Sequence, residues 1–217
     1  MEKKELAKRY ILAIISLFFS ALGVAFTKHG ELGVSPISSV ANVVSIKYTA
    51  LTLGNWLIVW NCILILGQII ILRKKFQPIQ LLQIPLSFLF GFFTDLCMKI
   101  VAPIPVDAYP VRLLMIIIGV VILAFGIALS VIANVIMNSG EAFVKAIADT
   151  TGKTFGNLKV GFDVSCVVIA VLLSLLFFDF KIVGTREGTI ISALLTGVVV
   201  RFYDGRLRQP LTKLLQS

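Results

Sequence analysis

The sequence predicts an all-α polytopic membrane protein: six transmembrane helices plus two short broken or re-entrant helices, built from two inverted three-span repeats. Three observations predict it. Of 217 residues, 58% are hydrophobic and 14% charged, with a mean hydropathy of +1.00, against about 45–50% apolar and about 25% charged in ordinary soluble domains. Six stretches approach the roughly 20 apolar residues that cross a hydrocarbon core about 30 Å thick. The second half also repeats features of the first at a displacement of 102 to 106 residues. A water-soluble enzyme of ordinary build is excluded. No hydrophilic stretch reaches the length a separate soluble core needs, so residues 1–217 read as one membrane domain, with repeats at 10–100 and 111–204.

The first span, 10–27, follows Lys3, Lys4, Lys8 and Arg9 as a signal peptide would. It outruns the apolar core of such a peptide and ends in Thr27-Lys28-His29-Gly30 without a small-residue cleavage site, so it is expected to be retained. Residues 34–46 are apolar but serine-bearing and too short to cross. Pro36 suits the first turn of a half-helix there, since its missing amide hydrogen would be unpaired anyway. Spans at 53–72 and 80–100 flank the basic run Arg73, Lys74 and Lys75, and a long span follows at 111–135. Residues 142–150 form a second short piece. The last spans are 155–178 and 188–203, the latter short.

The net charge of +9 is too sparse and interrupted for a nucleic-acid-binding surface, and topology accounts for it instead. With the N-terminus inside, 14 of the 20 basic residues fall on cytoplasmic segments: the N-terminal four, Arg73 to Lys75, Lys145, Lys153, Lys159, Arg201, Arg206, Arg208 and Lys213. Lys28, Lys47, Lys99, Arg112, Lys181 and Arg186 remain outside. The positive-inside rule therefore sets both termini in the cytoplasm. Cys62, Cys97 and Cys166 have unrelated spacings and no CxxC, and read as small buried residues rather than a metal or redox set.

In the duplication, Ala21-Leu22-Gly23-Val24-Ala25 aligns with Ala124-Phe125-Gly126-Ile127-Ala128. Gly54-Asn55 and Asn61 align with Gly156-Asn157 and Asp163, and Gln80, Gln83 and Gly91 with Arg186, Thr189 and Gly197. Three crossings per half is odd, so the second copy must be inverted relative to the first. Inverted repeats with paired broken helices are a hallmark of secondary transporters.

The same residues resemble the YczE/YyaS/YitT group of bacterial membrane proteins. The resemblance is carried by Glu31-Leu32-Gly33-Val34-Ser35-Pro36-Ile37-Ser38-Ser39, Gly140-Glu141-Ala142, Thr151 to Gly156, Lys159-Val160, Asp163-Val164-Ser165 and Gly184 to Thr189. It covers nearly the whole chain and implies a multi-pass protein of the bacterial cell membrane, with no established substrate. Asn138-Ser139 departs from the pattern, which has a proline-bearing turn there.

Ionisable groups inside a membrane are costly and mark pathways or sites. Glu141, Lys145 and Asp149 fall at i, i+4 and i+8 in one helical stripe, with Ser139-Gly140 placed to cap its start. This stripe reads either as lining a water-filled cavity or as the cytosolic face of a surface helix. Its counterpart carries Ser35, Ser39 and Asn42, with Ser38 and Ser45 beside them, which would bind solute or hold helices together. Asn157, Lys159 and Asp163 open the fifth span, the latter two spaced to neutralise one another, and Arg186-Glu187-Gly188-Thr189 opens the sixth. Asp95 and Arg201 take equivalent places in the two repeats as gating or orienting charges. His29 alone cannot form a relay and reads as a solvated loop residue, so proton coupling would fall to carboxylates.

These residues divide into a substrate set, Ser35, Ser39, Asn42, Asn138, Glu141, Lys145, Asn157, Arg186 and Thr189, and an ion-coupling set, Asp149, Asp163 and Glu187. No catalytic, metal or cofactor motif occurs. The leading expectation is a small secondary transporter of a polar or zwitterionic organic solute, coupled to H⁺ or Na⁺. Its partners are then a small-molecule substrate and the lipid bilayer, without nucleic acid, and a homo-oligomer is compatible. Two alternatives stay open: the substrate-binding subunit of an energy-coupling-factor vitamin importer, for which Ala21 to Ala25 offers a small-residue face, and a non-transporting accessory membrane protein.

Overall fold

The computed structural model describes residues 3–216, the side chain of Lys3 excepted, and they are helical without strands. The helices are α1 (Lys3–His29), α2 (Pro36–Lys47), α3 (Leu53–Leu72), α4 (Gln83–Val101), α5 (Tyr109–Ala133), α6 (Ser139–Thr151), α7 (Phe155–Phe177) and α8 (Glu187–Gln216). Two 3₁₀ turns, Arg73–Lys75 and Pro78–Leu82, join α3 to α4. Five helices, α1, α3, α4 with the turn before it, α5 and α7, are long and apolar enough to cross a membrane. The sixth expected span becomes α8, whose 30 residues continue through the basic tail and past Pro210. Arg201, Arg206, Arg208 and Lys213 lie along its second half, which lowers its hydropathy below that of the other five.

Local chemistry sets the ends. Thr52 caps α3 by accepting the amide of Asn55. Pro36 opens α2 and Gly152 closes α6 in the left-handed conformation that glycine adopts without strain. The N-cap of α6 is Asn138 and Ser139 is already helical, one residue earlier than the expected Ser139-Gly140 cap. His29 is not a solvated loop residue: it ends α1, half-buried, with Nε2 2.7 Å from the Ile104 carbonyl.

α1 and α5 form an antiparallel pair. At one end Arg9 donates to the carbonyls of Ile132 and Ala133 (3.4 and 3.0 Å) and pairs with Glu5 at 2.9 Å. A guanidinium on the last carbonyls of a helix satisfies groups that have no partner within it and complements the dipole. At the other end Arg112 bonds the Val106 carbonyl at 2.8 Å and pairs with Glu31 at 3.0 Å. Between them Gly23 lies against the Leu123 backbone and Gly126 against Ser20, so close that a methyl at either would stand 2.5 Å from backbone nitrogen. Ala21 and Ala25 meanwhile pack on Cys97 and Val101 of α4. The small-residue face of α1 is thus filled from within the chain.

The remaining packing comes in matched sets. α1 packs on α4 as α5 does on α8, α2 on α3 as α6 on α7, and α2 on α7 as α6 on α3. The small contacts of α1 and α2 with α8 have no counterpart, and the largest unmatched interface is that of α3 along α4, since α7 and α8 form nothing comparable.

Candidate functional site

The two short helices meet at their N-termini. Ser35, the N-cap of α2, has φ −58° and ψ 150°, and Asn138, the N-cap of α6, has φ −58° and ψ 149°. Ile37 presses on Gly140, where a Cβ would stand 2.9 Å from its Cδ1. Neither cap side chain bonds the amides of its own helix. Both N-termini, with the positive ends of their dipoles, border one cavity of about 570 Å³; Pro36 brings no amide hydrogen there, the Ser38 amide donates to the Ser35 carbonyl at 3.0 Å, and the Glu141 carboxylate accepts from the backbone amide of its own residue.

The cavity walls are largely apolar, with Leu17, Val24, Leu57, Trp60, Phe90 and Leu123 among them. Its polar groups are few and specific, as in small-molecule sites generally. Glu141 and Ser38 come from the half-helices, Lys159 and Asp163 from α7, and Thr196 from α8. Lys159 and Asp163 form an ion pair one turn apart. No side chain hydrogen-bonds or ion-pairs with Glu141 among the described residues, although the charges of Lys159 and Asp163 act on it. Ser20 and Trp60 also line the cavity, but their polar atoms are buried away from it, the Ser20 hydroxyl against Gly126, and have no protein partner among the described residues.

A second cavity of about 370 Å³ lies on the other side of α6 and is lined by Gln77, Gln80, Asn134, Lys145 and Asp149. Asn138 and Glu141 border both cavities, which places Glu141 at the partition between a mainly apolar chamber and a more polar one. The start of α6 is held there by buried amides. Gln68 and Gln83 exchange hydrogen bonds at 3.1 and 3.0 Å, and Gln68 also donates to the Ser139 carbonyl at 3.2 Å. Such a satisfied polar network fixes a helix end more specifically than apolar packing would.

The candidate residues divide by these cavities. Ser35, Asn138, Glu141 and Asp163 line the larger, and Asn138, Glu141, Lys145 and Asp149 the smaller. Ser39, Asn42 and Thr189 lie elsewhere, buried. Ser39 donates to the Pro36 carbonyl at 2.6 Å, Asn42 to the Gly184 carbonyl at 2.7 Å, and Thr189 sits beneath Gly33. Their polar groups face backbone that approaches too closely to admit a solute. Asn157 is exposed, and Arg186 and Glu187 pair with each other at 3.3 Å on a half-exposed surface. Ser20 and Trp60 escaped the sequence reading. Ser16, Ser20, Gly23 and Thr27, at i, i+4, i+7 and i+11, mark the α1 face that could have revealed Ser20.

Residues 7–205 match a family described as "Family of unknown function (DUF6198)". The chain is also 27% identical over 202 residues, 92% of its own length and 87% of the relative's, to the "Uncharacterized membrane protein YczE" of Bacillus subtilis (strain 168). No solved structure matches.

Proposed function

Because the chain belongs to the DUF6198 family, whose function is unknown, the reading has to come from the site, and we propose that it is a small secondary transporter of a polar or zwitterionic organic solute. The observation that carries this reading is the convergence of two half-helix N-termini on one cavity that also exposes a carboxylate without a side-chain partner and an ion pair. Broken helices meeting near the bilayer midplane bind substrate in transporters built from inverted repeats. The antiparallel α1–α5 pair and the matched packing of α1–α4 and α5–α8 support such repeats here, with α8 as the sixth span and both termini cytoplasmic.

Each chemical group has a task in this reading. The positive ends of the half-helix dipoles and Lys159 receive the anionic end of the solute, and Glu141 its cationic end. An apolar body lies against Trp60, Phe90 and Leu57. Glu141, at the partition, and Asp163, already paired, are the carboxylates available for proton or sodium coupling, and Lys145 and Asp149 line the polar approach. No step requires a cofactor or covalent chemistry, so the protein acts as a carrier and not as an enzyme.

Thermal-shift screening of the purified chain against amino acids, organic ions, vitamins and nucleosides tests binding, since a ligand at about a hundredfold excess over its Kd adds about 2.7 kcal/mol of stability. A hit should be taken up by liposomes holding the chain alone, with pH or sodium dependence that Glu141→Gln removes. Uptake only after addition of an ATPase and a coupling subunit would move the chain to the vitamin-importer class. No hit in any pool would favour an accessory role.

A further inference from the structure

The largest unmatched interface points to gates. Gly54 on α3 and Gly91 on α4 touch: a Cβ on Gly54 would collide with the Gly91 carbonyl, and one on Gly91 would stand 2.7 Å from the Gly54 carbonyl. A latch lies beside them. Asp95 accepts from the Thr52 hydroxyl at 2.6 Å and from the Gly54 amide at 2.9 Å. The duplication places Gly156, Gly197, Thr154 and Arg201 at the corresponding positions of α7 and α8. There the same glycines have no atom within 4 Å of a built Cβ. Phe155 and Lys159 on one helix and Ala193 and Gly197 on the other line the large cavity, and these positions are free of the close contact that joins α3 to α4. Thr154 makes no cap hydrogen bond, and Arg201 turns back to the carbonyl of Gly197 on its own helix.

We propose that Gly54–Gly91 and Gly156–Gly197 are the two gates of an alternating-access cycle, with the first shut and the second open in this structure. The proposal rests on the transporter reading and supplies its moving parts. Shutting the second gate would bring α7 onto α8 through the same glycine contact that now joins α3 to α4. Opening the first would release Thr52 and Gly54 from Asp95. The latches differ in sign, which explains which gate is shut. A carboxylate at the N-terminus of α3 meets free amides and the positive end of the dipole, whereas a guanidinium at the N-terminus of α7 meets the same positive end. With cytoplasmic termini, the open gate faces inward.

The test is thiol crosslinking of the full chain in liposomes, with Cys62, Cys97 and Cys166 first replaced by serine. Thr52→Cys with Asp95→Cys should crosslink readily. Thr154→Cys with Arg201→Cys should crosslink within one chain only while the first pair is reduced, and lose that crosslink once the first pair is locked. Failure of the second pair to crosslink with the first gate free, crosslinking indifferent to the first lock, or crosslinking between two chains would each overturn the proposal. Gly197→Val provides a second reading. Its side chain enters open space, so the melting temperature should hold while the Thr154–Arg201 crosslink is lost. A retained crosslink would overturn the gate. Alternating crosslinks in a chain that moves no solute would sink the transporter reading and leave the gates standing.

Discussion

α2 and α6 enter the same cavity with nearly identical backbone at Ser35 and Asn138, yet the side chains that follow have opposite fates. On α2 the third helical position is Ser38, 5% exposed and bonded to Ser35 at 3.0 Å. Ser39 and Asn42 bond backbone, and Val40 and Val43 pack on Cys166 and Ala170 of α7. On α6 the third position is Glu141, which no side chain bonds, followed by Lys145 and Asp149 on an exposed face. The two helices share a geometry and divide the labour. In the transporter reading, α2, with its hydrogen-bonding largely satisfied, serves as a fixed strut, and α6, whose charged groups bond no other side chain among the described residues, serves as the working surface.

The sharpest way to break this comparison is to change the two equivalent third positions. Glu141→Gln is expected to lower uptake by about tenfold or more, equivalent to about 1.4 kcal/mol of transition-state stabilisation, and to abolish its pH or sodium dependence. Ser38→Ala should change uptake little. Initial rates in liposomes, with melting temperatures as the folding control, decide it. Equal losses from both variants would erase the distinction between strut and working surface.

The next effect concerns the pair opposite α6. Lys159→Met leaves Asp163 without its partner, and an uncompensated half-buried charge destabilises, by about 3–5 kcal/mol where burial is complete and by less here, where the pair is partly solvated. Asp163→Asn added to it should recover the melting temperature, because replacing both members of such a pair is tolerated far better than removing one. Uptake should not recover with it if the pair handles solute or ion. Recovery of both would reduce Lys159–Asp163 to structure.

Much of this was legible in the sequence because hydrophobic length and charge placement act locally. The eight helices, the two short ones among them, follow from apolar runs of the right length broken by Gly, Pro, Ser and charge. Glu141 was legible because a carboxylate at the start of a short helix between spans has few reasons to be there. Asn42 and Ser39 look as functional as Ser35 in sequence. What separates them is whether a backbone carbonyl from residues about 130 or more positions away, such as Gly184 for Asn42 and Cys166 for Ser39, arrives within bonding distance. Trp60 was illegible for the opposite reason: in an apolar helix nothing shows that its ring will line a cavity while its indole N–H is buried without a partner. The reach of α8 through the tail runs against the low helix propensity of Gly205 and Pro210 and is supported by an Asp204–Arg208 pair one turn apart, which hydropathy does not register.

A smaller effect separates Asn42 from Lys145, its register mate 103 residues on. Asn42→Leu removes the donor to the Gly184 carbonyl and leaves a half-buried acceptor unpaired, costing about 1 kcal/mol or somewhat more. Lys145→Leu should move stability by no more than about 0.5 kcal/mol, as exposed sites do, while raising the apparent KM for a charged solute approaching along the smaller cavity. Thermal unfolding in detergent separates the two. A melting point lower for Lys145→Leu than for Asn42→Leu would reverse the roles.

The smallest effect is expected at Arg186 and Glu187, where the sequence suggested an anion site and an ion-coupling group. Their side chains are 47% and 39% exposed and lie 3.3 Å apart at adjacent positions, and neither borders a cavity. Ion pairs of that exposure contribute about 0–1 kcal/mol and weaken with salt. Glu187→Gln also removes a carboxylate from the first turn of α8, where it interacts favourably with the helix dipole by about 0.3–1 kcal/mol. The double variant Arg186→Gln with Glu187→Gln should therefore lower the melting temperature slightly and leave uptake and its ion dependence as they were. Loss of ion dependence in this variant, with Glu141 intact, would move the coupling site from α6 to the start of α8 and overturn the division between the two half-helices.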